Sequence, residues 1–546
     1  MKTKFWYGAA MLFSALAVFT LTSCSECEDN PVSEPEQLAE ATIMWYGHGG
    51  GNVDAAILEV FRQFYRAKSF DKVNVVAQYK VSYAPTTYDG QSMDEIIETA
   101  EEIAEGKTDE ELEQLDYIRY FYLCHPNPGS TYRFAIDGKK TLRQQLLETE
   151  TYGEDNCDVT CPDSLTSFIN WAAANYPAKK YILVMADHGG GYLPNDDLAD
   201  AAKTRGLIFD DGHDDKCFSA KSFARGVRNA NVRPEGIVIY LCMMNNMEFL
   251  YDVKDVTDYI TASTYIMWGG DGALDGLVED FAAGKDTKTT LSNYVDESMD
   301  RWDGMFYDPD NPDSGDNPLY YDLTMTDTKK LNDLAPVLKE FTDRLVDTYQ
   351  NGTLEQRALI DQCTANAVKV DNTYPFYDYA KFMESVFAEL PEVFDDELQN
   401  RLANAFNDCI VNQRYSKYLT QHNYMVDYSM ILAVKGNYVL YLYDERGKEP
   451  KLTGAYVYCP DGKIDVYSYK ADANDSDGSL NLYDYVRSST WPSTFEATYQ
   501  QTTFDRLVGW SRFLLLNEAA PPAWSPASFN YKLPEDDMTG ITNLKK

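Results

Sequence analysis

Short, uninterrupted apolar runs recur along the first half of the chain, separated by stretches whose apolar residues return every three or four positions. Residues 42–47 (TIMWYG), 73–79 (VNVVAQY), 181–186 (YILVMA), 236–241 (GIVIYL) and 259–262 (YITA) have the length and apolar content of buried strands. Residues 117–124 and 132–136, rich in aromatics, are strand-like as well. Between the runs, 54–67 sets Ile57, Val60, Phe61 and Phe64 on one helical face, and 164–175 does the same with Leu165, Phe168, Ile169 and Ala172. Segments 92–106 and 219–229 also read as helices, the first of them acidic. Continuous apolar strands joined by helices predict a parallel sheet covered on both faces, an α/β fold.

The pattern changes after residue 305. Residues 308–317 (DPDNPDSGDN) form a Pro/Asp/Gly loop that marks a boundary or an insertion. Helical periodicity follows at 327–349, 354–367, 377–388 and 395–411. Strand-like runs come next, at 430–433, 438–443, 454–459 and 464–469, then an amphipathic helix at 503–516. The expected organisation is a leader at 1–23, a tether at 24–41, an α/β core at 42–305, a helical subdomain at 306–429, C-terminal strands and a closing helix at 430–520, and a Pro-rich tail at 521–546.

Composition narrows the class. A chain of 546 residues exceeds one compact core, and 44% apolar residues with 41 tyrosines exclude a disordered one. A net charge of −39, with no Lys/Arg cluster, argues against a nucleic-acid partner. The N-terminus carries Lys2 and Lys4, an apolar stretch to about Leu21, and then Leu21-Thr22-Ser23-Cys24. That tetrad resembles a bacterial lipoprotein box, so export and lipidation of Cys24 are expected, with anchoring to the outer membrane. No later segment reaches the ~18–20 apolar residues of a membrane span. Of the ten cysteines, Cys157 and Cys161 have the spacing of half a metal site. No second pair accompanies them, so a disulfide or two free thiols is the plainer reading.

Two reactive side chains directly follow apolar strands. His188 opens His-Gly-Gly-Gly-Tyr after YILVMAD, and Cys242 opens Cys-Met-Met after GIVIYL. One helix separates the two strands, enough for a parallel crossover, so both residues can share the carboxyl edge where α/β sheets place their active groups. A thiol becomes a strong nucleophile when a neighbouring base takes its proton, and His188 suits that role. The amides of Gly189 and Cys242 could donate to a developing oxyanion. A second His-Gly-Gly-Gly begins at His48, but the strand 73–79 and much else separate it from Cys242, so His48 reads as a binding-loop or structural residue. His125, His213 and His422 lie in polar or loop-like settings.

These motifs resemble the clostripain-like cysteine peptidases, relatives of gingipains, legumains and caspases. The match covers His188-Gly-Gly-Gly-Tyr192, where the family has Trp last, the preceding Asn175-Tyr176-Pro177-Ala178, and Cys242-Met-Met with Glu248 six residues on. Asp258-Tyr-Ile-Thr-Ala-Ser263, Gly454-Ala-Tyr-Val-Tyr-Cys-Pro460 and the closing Phe504, Trp510 and Phe513 extend it to about 42–515. The resemblance implies a caspase-like fold, endopeptidase activity through a His188–Cys242 dyad, and peptide or protein substrates. It also implies self-processing in the loop after His188, where Lys203 and Arg205 lie. Tyr240, Ser263, Trp268 and Asp271 fall where the pocket for the substrate side chain is expected. Tyr240 replaces a family Asp, which removes the carboxylate that would hold an Arg or Lys; Asp271 could supply one or be an ordinary loop acid. The implied alternatives are a peptidase of neutral preference and a peptide-binding lipoprotein without catalysis. Some relatives need calcium, and the acidic runs 308–316 and 472–477 could bind it, although neither has EF-hand spacing.

Overall fold

A computed structural model describes residues 38–85, 91–153, 156–191, 206–213, 216–265, 267, 271–307, 321–365, 367, 376–417, 439–441, 456–458, 464–466 and 502–514. The leader with Cys24, the residues 192–205 and the acidic runs 308–316 and 472–477 lie outside them.

The apolar runs form the expected strands: β1 (Ala41–His48), β2 (Val73–Lys80), β4 (Tyr181–Ala186), β7 (Gly236–Tyr240) and β8 (Tyr259–Ala262). β3 (Thr131–Ala135) is present too. Together with β9 (Asp322–Asp327) and β11 (Ile410–Tyr415) they build one eight-stranded sheet in the order β11-β9-β8-β7-β4-β1-β2-β3. The central strands β8, β7, β4, β1 and β2 run parallel, while β3 and β9 pair antiparallel at the two sides.

Side chains alternate across this sheet, and each face has its own core. Ile43, Trp45, Ile182, Val184, Val238 and Tyr240 point to one cluster, covered by the helices Asp54–Arg62, Leu274–Ala282 and Thr287–Phe306. Met44, Tyr46, Leu183, Met185, Ile237 and Ile239 point to the other, under Pro162–Asn175, Ala220–Arg228 and Met247–Val253. Period-two alternation with both sets apolar gives the unbroken hydrophobic runs seen in the sequence. Each large side chain so buried contributes roughly 1.5–3 kcal/mol, so the register of these strands is strongly specified.

Three stretches differ from the sequence-based expectation. Residues Tyr117–Leu123 form a helix, not a strand: Asp116 caps it by accepting from the Arg119 amide at 3.0 Å, and Tyr120, Phe121 and Tyr122 pack inward. Aromatic content is a weak strand signal that a cap and tertiary packing outweigh. The region expected to be purely helical supplies β9 and β11 to the main sheet. In β9 the buried residues include Asp322, Thr324 and Thr326, so no apolar run announces it. A short hairpin, β5 (Leu207–Asp210) and β6 (Lys216–Phe218), went unread because each arm has four residues or fewer. Cys157 and Cys161 are not joined by a disulfide. No helix among the described residues is long and apolar enough to cross a membrane.

Candidate active site

The site is set by register. Gly47 of β1 stands opposite Ala186 of β4, which stands opposite Tyr240 of β7. His188 and Cys242 therefore each lie two residues beyond one cross-strand pair, at the carboxyl ends of adjacent parallel strands. The two backbones approach closely there. A Cβ on Gly189 would meet the Cys242 nitrogen at 2.7 Å and the Cys242 carbonyl closer still, so only glycine fits. The Gly189 amide faces the thiol.

Cys242 is partly exposed and its sulfur has a second amide neighbour, the N–H of Met267 at 3.2 Å. Burial pushes the thiol above its ordinary pKa, while the amides of Met267 and Gly189 pull the other way. Met243, the next residue, has φ +61°, a conformation strained for any side chain but glycine.

The His188 imidazole is held on several sides. Its Nε2 lies 2.5 Å from Oδ1 of Asn52. With Asn52 presenting its oxygen, Nε2 is the protonated nitrogen and Nδ1 keeps a free lone pair. Gly50, at φ +53°, packs so close that a Cβ would meet His188 Cδ2 at 2.7 Å. The Phe209 ring stands edge-on at 6.3 Å. Asp187 fixes the backbone, accepting from the His188 amide at 2.5 Å and the Phe209 amide at 2.8 Å. Burial and the nearby His48 lower the His188 pKa to about 4, so the imidazole is neutral at pH 7.

His48 stands closer to this site than its sequence position suggested. β1 lies directly beside β4, with β2 on its far side, so only β4 intervenes between the strands of His48 and Cys242. The expectation failed because β2 follows β1 in the chain but pairs on the side away from β7. His48 is fully buried, its Nδ1 2.9 Å from the Lys80 carbonyl and its Nε2 3.3 Å from Asp211. Burial alone would lower its pKa, yet Asp211 with Asp187 and Asp210 raises it to about 9. Burial likewise would raise Asp211, but His48 and the amides of Ala84 and Tyr83 hold it at about 2. Lys80 and Asp210 form a buried ion pair at 2.5 Å.

His48, Asp210 and Asp211 could offer three ligand atoms to a metal, as could Asp158, Asp210 and His213. The donors fit poorly. Lys80 already sits on Asp210, Asp211 accepts two backbone amides at 2.9 Å, and His48 turns its Nδ1 to the Lys80 carbonyl. This is an internally neutralised network, and we assign no metal to it.

The remaining predicted site residues are placed as follows. Tyr240 is buried, its ring edge-on to Trp302 at 6.4 Å. Asp271 is ion-paired with both Arg66 and Arg301. Ser263 is fully buried, and its hydroxyl donates to Asp322 at 2.9 Å. Trp268, Lys203, Arg205 and Cys24 lie outside the described residues. Asn52 was not foreseen. Its signal was the glycine run at Gly49, Gly50 and Gly51, which lets the backbone turn and lie against His188.

The chain is similar to known proteins. The profile of the clostripain family matches residues 86–498. Clostripain of Hathewaya histolytica is 22% identical over 404 residues, covering 68% of this chain and 69% of that protein. Among solved structures, the secreted C11 cysteine protease iotapain of Bacteroides thetaiotaomicron aligns with a TM-score of 0.46 and 16% identity, covering 70% of this chain and 88% of that one. An inactive zymogen C11 protease of Parabacteroides distasonis aligns at 0.45 with 12% identity, over 70% and 86% of the two chains.

Proposed function

The chain belongs to the clostripain family of cysteine peptidases, and from that premise we propose that it cleaves peptide bonds with Cys242 as nucleophile and His188 as base and acid. The observation that carries this reading is the shared register: both residues stand two positions past the Ala186–Tyr240 pair.

The pKa directions define the starting state. A thiol raised by burial and an imidazole lowered by burial both rest uncharged. His188 therefore takes the thiol proton as sulfur attacks the carbonyl carbon, rather than before substrate arrives. The C–S bond forms, the carbonyl electrons move to oxygen, and the amides of Gly189 and Cys242 stabilise that oxyanion. Collapse breaks the C–N bond, and the His188 proton goes to the leaving amine. Water, deprotonated by His188, then attacks the thioester and releases the acid and the free thiol. Asn52 keeps the imidazole in the tautomer these steps require.

Tyr240 and Trp268 are the pocket residues in this reading, and a phenol at 240 in place of a carboxylate favours neutral substrate side chains. Lys203 and Arg205 are the processing positions, cut by the enzyme itself, and a single intact chain in active preparations would contradict that. The leader exports the protein and Cys24 anchors it to the outer membrane. A peptidyl acyloxymethyl ketone tests the dyad directly. An adduct whose mass maps to Cys242, lost in Cys242→Ala and slowed in His188→Ala, is expected. Reversible peptide binding with no adduct would favour the binding lipoprotein instead.

A further inference from the structure

The turn after Cys242 is braced from the outside by the residues that follow β8. Met243 N donates to the Tyr265 carbonyl at 2.9 Å, and Asn245 N donates to the Ser263 carbonyl at 2.9 Å. Met267 N donates to the Cys242 sulfur at 3.2 Å. A strained residue such as Met243 persists only where its surroundings over-determine it, and these three bonds do so.

The brace itself, Ser263, Thr264, Tyr265 and Met267, lies beyond the end of its strand and needs a support of its own. That support is Asp322. The antiparallel pair Ala262–Thr324 places Asp322 opposite the first residues past β8. One of its oxygens accepts from the Thr264 amide at 2.7 Å, the Ser263 hydroxyl at 2.9 Å and the Tyr265 amide at 3.2 Å. Asp322, Ser263 and Thr264 are all buried. Ionised acceptors hold such donors more strongly than neutral ones, so a carboxylate suits this position better than an amide.

We propose that Asp322 is a positioning residue for the nucleophile, fixing Ser263, Thr264 and Tyr265 beside the Cys242 turn so that the Met267 amide donates to the sulfur of Cys242. The proposal rests on the reading of Cys242 as nucleophile. A hydrogen bond to sulfur stabilises the thiolate more than the thiol, so its loss raises the pH at which Cys242 reacts. Ser263 is a strut of the same bracket.

The test is the pH dependence of Cys242 alkylation by iodoacetamide in the full chain, followed by the mass of the Cys242 peptide. Wild type is compared with Asp322→Asn, Asp322→Ala and Ser263→Ala, each first shown to melt cooperatively. The alkylation midpoint should rise by about one pH unit in both Asp322 variants, slowing the reaction about tenfold at pH 7, with a smaller rise in Ser263→Ala. If Asp322→Ala does not fold, Asp322→Asn decides. An unchanged midpoint in a folded Asp322 variant overturns the proposal, however far its melting temperature falls. Alkylation needs no substrate, so failure of the peptidase reading would be seen separately, as cleavage that survives Cys242→Ala.

Discussion

The Nε2 of His188 ends 2.5 Å from the side-chain oxygen of Asn52, two residues that are 136 positions apart in the chain. The contact joins the glycine-rich turn after β1 to the end of β4 and selects which imidazole nitrogen is free. Asn52→Ala should therefore lower kcat by about 10–100-fold while KM changes little, because an orienting partner acts on the base and not on substrate binding. Steady-state kinetics on one peptide suffices. An equal loss confined to KM would assign Asn52 to substrate instead.

Gly189 has no room for a side chain. Gly189→Ala would drive its Cβ into the Cys242 backbone, which cannot move without displacing the nucleophile. We expect a loss of stability of about 1–3 kcal/mol and a fall in kcat of at least a hundredfold. Chemical denaturation and kinetics measure the two effects.

The network around His48 makes stability depend on pH. The His48 pKa, raised to about 9, contributes stability that is complete below its unfolded value near 6.5 and lost as pH rises through 9. Asp211, held at about 2, contributes stability present above its ordinary value of 3.8 and lost as pH falls through 2. His48→Gln should thus destabilise the protein at pH 6 by an amount of order 3 kcal/mol, and the gap to wild type should narrow by pH 10. Melting curves at the two pH values decide it; a constant gap would mean that packing, not charge, is lost.

How much of this was readable beforehand follows from what each residue does. The strands of the central sheet are apolar on both faces, so runs such as YILVMA and GIVIYL announced themselves, and the strand ends then marked His188 and Cys242. β9 stayed hidden because Asp322, Thr324 and Thr326 are buried polar residues, and Asp322 and Thr324 bond to segments far along the chain. The placement of His48 was misjudged because chain order does not give strand order in a parallel sheet. Asn52 and Asp322 act through single contacts with residues far along the chain, and local periodicity carries no trace of such contacts.

In the proposed reading, Tyr240 and Asp271 bear on selectivity. Tyr240 offers no carboxylate, and Asp271 is taken by Arg66 and Arg301. Peptides with Arg or Lys before the cleaved bond should be cut no faster than peptides with a neutral apolar residue there. The double variant Arg66→Ala, Arg301→Ala frees Asp271 and should raise kcat/KM for an Arg peptide about tenfold, equivalent to about 1.4 kcal/mol. Profiling with a peptide library reads both.

One comparison decides whether Cys242 performs the chemistry. The leaderless protein and its Cys242→Ala form are incubated with the same peptide library and the cut sites read by mass spectrometry. The wild type should make a defined set of cuts, and the variant should lose at least about 10⁴-fold in rate with its fold intact by melting. Identical cuts at comparable rates in both forms would contradict that role for Cys242.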